Sequence, residues 1–214
     1  MSRQGIFLQC LLLLFCTVVQ SRLDIRDFGA SSVENMEDLG KDFWDNLEQE
    51  QANAQALNDA LIAANWTTIE EDREVYIPWN NTFHMMPIKL DYMRNVTLTI
   101  DGTVKVSKRQ NNWPRYRNGG GKLKLREFWE FDEAHDLTIQ GNGTVDGQGY
   151  MWWMREYIGT NPLSSRPDLV RINGATNLEV SGVKFKDSPH FHVHVEDFDG
   201  LYFHDFEIEV NRKG

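Results

Sequence analysis

One pattern recurs four times along the chain: apolar-x-apolar, a gap of five residues, then apolar-x-apolar. It is found at Ile88/Leu90 with Val96/Leu98, Trp129/Phe131 with Leu137/Ile139, Val170/Ile172 with Leu178/Val180, and Val193/Val195 with Leu201/Phe203. A period of two marks a β-strand, because alternate side chains leave opposite faces. The gaps, residues 91–95, 132–136, 173–177 and 196–200, are rich in Asp, Asn and Gly, which favour turns. Each copy therefore reads as strand, tight corner, strand. Such a unit cannot bury its apolar face alone, so copies stack and their inward residues form one continuous core. A β-sandwich also uses short strands and turns. The constant internal spacing favours the solenoid, an all-β, right-handed parallel β-helix.

Ahead of the repeats, residues 48–64 read as a helix with Leu57, Ala60, Leu61 and Ala64 on one stripe. Such a helix would cap the open end of the core without presenting a strand edge. Val75-Tyr76-Ile77-Pro78 reads as a short strand stopped by proline. Two long intervals, 105–126 and 147–166, read as loops inserted between coils.

The N-terminus has the form of a secretory signal peptide, with Arg3, an apolar run from Ile6 to Phe15, and Val19-Gln20-Ser21 for cleavage. The expected organisation is a signal peptide over 1–21 and one β-helix domain over 22–214, secreted to the extracellular space. Both cysteines, Cys10 and Cys16, fall in the signal, so the mature chain would depend on its core rather than on disulfides. No later run is long and apolar enough to span a bilayer, so no membrane association is expected of the mature form. A formal net charge of −10 argues against general nucleic-acid binding.

Several segments together resemble the polygalacturonase-type glycoside hydrolases within the pectin-lyase-like β-helix proteins. They are Ile25-Arg26-Asp27-Phe28-Gly29-Ala30, the helix containing Ala56-Leu57, and Val75-Tyr76-Ile77-Pro78. The most specific is Gly141-Asn142-Gly143-Thr144-Val145-Asp146-Gly147-Gln148-Gly149 with Trp152-Trp153, followed by Arg166-Pro167-Asp168-Leu169-Val170. Ser188-Pro189, Phe191 and His194 resemble the family's Asn-Ser-Pro, aromatic and His segment, with Asp187 where Asn is usual. The resemblance implies an anionic, pectin-like polysaccharide as partner and no cofactor. It also implies an inverting acid and base in Asn-Thr-Asp and Asp-Asp motifs, with His-Gly and Arg-Ile-Lys after them. None of these occurs in the sequence. The expectation is thus the N-terminal part of such a hydrolase, truncated before its catalytic residues and inactive alone. The alternatives are a non-catalytic β-helix that binds anionic glycans, and a metal-dependent hydrolase.

The remaining signals each admit a structural and a functional reading. Gly141, Gly143, Gly147 and Gly149 suit positive φ at a strand exit; a P-loop would need a different spacing and a following Lys-Ser/Thr. Trp152 and Trp153 read as packing anchors rather than sugar platforms. His190, His192 and His194 alternate, which places them on one strand face, as a polar outer surface, a metal site, or, at His194, a substrate contact. The stretch from Lys105 to Arg126 is basic and reads as a solvated loop or as a polyanion contact, with Arg115, Arg117 and Lys122 as its candidate binding residues. Sequons at Asn65, Asn80, Asn95 and Asn142 are candidate glycosylation sites. Asp197, Asp199, Asp205, Glu207 and Glu209 sit where solvated residues belong, so no catalytic residue is assigned.

Overall fold

The computed structural model describes residues 22–32, 46–160 and 166–211. The expected signal peptide lies outside these residues.

The described residues open with β1 (Leu23–Asp24) and the helix α1 (Asn46–Trp66), then β2 (Glu74–Ile77), β3 (Thr82–Met85), β4 (Ile88–Asp91), β5 (Arg94–Ile100) and β6 (Thr103–Val106). A hairpin follows, β7 (Arg115–Arg117) and β8 (Leu123–Leu125), then β9 (Trp129–Gln140), β10 (Thr144–Asp146) and the helix α2 (Tyr150–Tyr157). The last strands are β11 (Val170–Ser181), β12 (Lys184–Lys186), β13 (Val193–His204) and β14 (Glu207–Glu209). One sheet runs β1-β2-β5-β9-β11-β13 with β4 also on β9, and the other runs β3-β6-β10-β12-β14. Every pairing in both sheets is parallel, as a coil that climbs one rung per turn requires.

The four sequence copies are four rungs in register. Ile88 and Val170 both pair with Trp129, and Val193 pairs with Val170. After the corner, Leu98 pairs with Ile139, Ile139 with Val180, and Val180 with Phe203. The corner is made by two left-handed residues per rung, at Tyr92, Glu133, Gly174 and Asp197 and again at Asn95, Asp136, Asn177 and Gly200, with φ from +50° to +80°. Asn, Asp and Gly tolerate this conformation best. Side chains tie one corner to the next: Asn177 Nδ2 donates to Asp136 Oδ1 at 3.0 Å and Asn173 Nδ2 to Asp132 Oδ1 at 2.7 Å.

Inward residues are buried as the alternation predicts, with Ile172 at 0 % and Leu178 and Val180 at 1 % exposure. Val195 and Leu201 keep the inward register but are less covered, Leu201 being 37 % exposed, because β13 is paired on one side only among the described residues. The stripe of α1 closes the core through Leu57, Ala60, Leu61 and Ala64, all buried. Glu50 fixes the helix to the coil stack by accepting from Ser107 Oγ at 2.7 Å and pairing with Arg109 at 3.3 Å.

Three expectations need revision. Positive φ accounts for Gly141 alone among the four clustered glycines. At Gly143 a Cβ would lie 2.2 Å from the Gly102 carbonyl oxygen, and at Gly147 and Gly149 it would lie 2.6 Å from that of Asp187, so those positions are fixed by close approach of neighbouring coils. The basic interval is no open loop: its start is β6, Trp113 is buried with Nε1 donating to the Arg126 carbonyl at 2.7 Å, and β7 and β8 pair antiparallel. The second interval holds α2, whose Trp152 meets Trp113 edge-on at 5.3 Å, while Trp153 Nε1 donates to the Ser188 carbonyl at 3.0 Å. Both tryptophans anchor the insertions, the packing role their size favours.

Candidate substrate cleft

The backbone ladder that starts the long strands also lines up the residues just ahead of them. Phe128 N donates to the Asp168 carbonyl at 3.0 Å, and Leu169 N to the Phe191 carbonyl at 2.9 Å. Glu127, Asp168 and His190 are thereby brought together from three successive coils. They form the floor of a cleft of ≈ 270 Å³, walled by Lys124 and Leu125 of β8, Glu156 of α2, and Arg166.

Asp168 is the hub. Its side chain is 3 % exposed and meets His190 Nδ1 at 2.7 Å, His194 Nδ1 at 2.8 Å and Arg171 Nη1 at 3.3 Å. It also accepts from the Phe191 backbone N–H at 3.3 Å. These partners satisfy a buried carboxylate that would otherwise be costly. The Asp168 backbone N–H donates to Glu127 Oε2. Burial first, then the neighbouring Asp168 charge, push the Glu127 carboxyl up to about 7, against the lowering effect of that hydrogen bond. The half-exposed Phe191 ring lies between the imidazoles, 4.1 Å from His190 and 5.2 Å from His194.

The three histidines do not share one face. The strand starts only at Val193, so the alternation fails upstream of it. His190 and His194 converge on Asp168, whereas His192 turns away, its Nε2 accepting from Ser188 N–H at 3.3 Å, and burial lowers its pKa. Among the described residues no group of three or more His, Cys, Asp or Glu side chains is disposed to hold a metal ion.

Of the residues singled out for substrate contact, His194 lines the cleft. Arg115, Arg117 and Lys122 do not; they are exposed on the hairpin, where Arg117 Nη1 donates to the Gly121 carbonyl at 2.8 Å, and the cation they leave at the wall is Lys124. The carboxylates near the end of the chain serve the coils: Asp197 and Asp205 hold left-handed turns, and Glu207 and Glu209 pair with Lys184 at 3.1 and 3.2 Å. Two sequon asparagines are already engaged, Asn65 accepting from Arg94 N–H at 2.7 Å and Asn95 donating to Glu70 at 3.3 Å, while Asn80 and Asn142 lie exposed. Sequence reasoning missed Glu127, Asp168 and Arg171. The signal was the Arg166-Pro167-Asp168 entry to β11, a polar residue placed against an otherwise apolar strand start.

The profile of glycosyl hydrolases family 28 matches residues 67–214. The chain belongs to glycosyl hydrolase family 28. A polygalacturonase of Persea americana is 26% identical over 174 residues, covering 80% of this chain and 32% of that protein. The family 28 fold recurs in the exopolygalacturonase of Thermotoga maritima, with a TM-score of 0.66 at 16% identity over 89% of this chain and 47% of that one. It recurs too in the polygalacturonase of Erwinia carotovora, with a TM-score of 0.53 at 23% identity over 74% and 44% of the two chains. This family 28 chain spans a quarter to a third of the length of the first curated relatives it matches.

Proposed function

We propose that this chain supplies substrate-holding coils for the hydrolysis of galacturonan-like polysaccharide, outside the cell, after removal of residues 1–21. The observation that carries the reading is the cleft: Lys124, Arg166 and Arg171 line one pocket of a family 28 β-helix, interleaved with Glu127, Asp168 and Glu156 and with the imidazoles of His190 and His194. Lys124 and Arg166 offer charge-assisted hydrogen bonds to a polymer that carries a carboxylate on each sugar. The half-exposed Phe191 ring offers a face to a sugar at the same place.

Bond cleavage by inversion needs a general acid and a second carboxylate that activates water. The Asn-Thr-Asp and Asp-Asp motifs that would provide them are not among these 214 residues, so the proposal gives this chain binding rather than cleavage. Binding substrate and transition state equally does not accelerate the chemical step. The test is affinity electrophoresis in polygalacturonate alongside a reducing-sugar assay. The chain should be retarded in a salt-sensitive way, should release no sugar, and should lose at least about tenfold in affinity when Lys124 and Arg166 are both replaced by Ala. Retardation unchanged in that variant would remove the cleft from the reading. Sugar release abolished by Asp199→Asn or Asp205→Asn would place chemistry within this chain.

A further inference from the structure

The protons of the cleft have no part in the binding described so far, yet its geometry concentrates them. One buried carboxylate, Asp168, serves two imidazoles at 2.7 and 2.8 Å, and a second carboxyl, Glu127, is held against the same residue's backbone. The lining thus gathers Glu127, Asp168, His190 and His194 within the reach of one small ligand.

We propose that the cleft takes a sugar-acid carboxylate together with protons, so that uronate binding is coupled to proton uptake by Glu127, His190 and His194. The inference rests on the reading of the cleft as a galacturonan site and adds what that site requires of pH.

The charge balance of the lining gives the reason. Three permanent cations, Lys124 of β8, Arg171 of β11 and Arg166 ahead of it, face three carboxyl groups, Glu127, Asp168 and Glu156 of α2, with the imidazoles of His190 and His194 set against Asp168. With the three carboxyls ionised, an incoming carboxylate meets no surplus of permanent positive charge. With protons on Glu127 and both imidazoles, five cations face two anions. The charges just behind the lining are already paired: Glu130 of β9 with Arg126 at 3.2 Å and Lys89 at 3.6 Å, and Glu196 of β13 with Arg171 at 2.8 Å and His194 at 3.1 Å. Tyr116 of β7 lies under the Arg126 guanidinium at 4.6 Å, and its pKa is raised, chiefly by burial and then by Glu130 and Glu127, so it stays neutral. The groups left to respond are therefore those of the lining. Glu127, held up to about 7, gives up or takes its proton close to neutrality.

A new negative charge within about 4–6 Å raises the pKa of a neighbouring group by roughly 1–3 units. By linkage the ligand binds tighter as pH falls, by up to about tenfold per pH unit for each proton coupled. His190 is the most direct of these groups, being 39 % exposed with Nδ1 on Asp168.

Calorimetric titration of the whole chain with trigalacturonate, at pH 5.5 to 8 and fixed ionic strength, in two buffers of different ionisation heat, reads both affinity and protons taken up. The expected result is a loss of at least about tenfold in affinity from pH 5.5 to 8, with net proton uptake near pH 7. Glu127→Gln and His190→Gln should each flatten that dependence, and Glu127→Gln should bind more tightly than the parent at pH 8. Binding with no proton uptake and no pH dependence overturns the coupling and leaves the galacturonan site standing. A dependence unchanged in both variants overturns the assignment to these residues. No binding at any pH overturns the galacturonan site itself. Proton uptake by the parent chain decides the coupling even if a variant fails to fold.

Discussion

Replacing Glu127 by Gln should stabilise the protein above pH 7 by about 2 to 4 kcal/mol and change little near pH 4. Glu127 titrates at about 7 in the folded chain rather than at the usual carboxylate value, because it is half-buried beside Asp168. Between about 4.5 and 7 the native state therefore holds a proton that the unfolded chain has released, and stability falls as pH rises through this window. His84 works in the opposite sense. Buried on β3 and facing Lys105 and Lys108, it is lowered to about 4, so between about 4 and 6.5 the unfolded chain binds a proton that the native state refuses, and stability falls as pH drops. At 1.36 kcal/mol per unit the two effects are each about 3 kcal/mol and run against each other over nearly the same range. Glu127→Gln should thus lose stability more steeply than the parent on acidification from pH 7 to 4.5, because it lacks the limb that offsets His84. Other carboxyls, including Glu50, which burial raises, cancel in the comparison of variant with parent. Urea midpoints followed by tryptophan fluorescence at pH 4, 5.5 and 7.5 measure it. Parallel profiles for the two proteins would refute the assignment of a displaced proton to Glu127.

Leu178, 1 % exposed, faces the core, while its neighbour Glu179 lies half-buried on the other face. Leu178→Ala should cost about 2 to 5 kcal/mol in urea unfolding and Glu179→Ala about 0.5 kcal/mol or less, and equal costs would show the strand register to be wrong. For export, N-terminal sequencing of protein recovered from the medium should begin close to Arg22; a product that keeps Met1 or Cys10 would refute the signal assignment.

The coils were legible because their signal is periodic and local. A residue's place in the alternation decides whether it is buried, and the five-residue gaps already contain the Asn, Asp and Gly that the two left-handed corner positions need. Where a position departs from that preference, as with Tyr92 and Glu133 at positive φ, no composition rule reveals it. The hairpin was illegible for a different reason. Its strands are three residues each, and the charge of Arg115, Arg117, Lys122 and Lys124 hides an alternation with Tyr116, Leu123 and Leu125 around the Gly119-Gly120-Gly121 turn. The histidines misled because alternation was extended past the start of β13: Pro189 and the bends around it break the period before Val193.

The cleft itself could not be read locally, because its parts meet only through stacking. The hydrogen bonds that join Asn173 to Asp132, Asn177 to Asp136, and Asp168 to Glu127 each span 41 residues, the length of chain between these two rungs. Side chains separated by that interval are neighbours as surely as residues four apart on a helix, and a charge placed at one rung is felt at the next. The two insertions use the same geometry. Trp113 from the hairpin side and Trp152 from α2 leave the stack one rung apart and lock onto each other, while Trp153 fastens α2 to the turn that carries His190. The walls of the cleft are thus held by buried aromatic contacts that lie outside it. Loosening Trp113 would therefore move Lys124 away from Asp168 without altering any residue that touches the ligand, and a loss of affinity there would report position rather than charge.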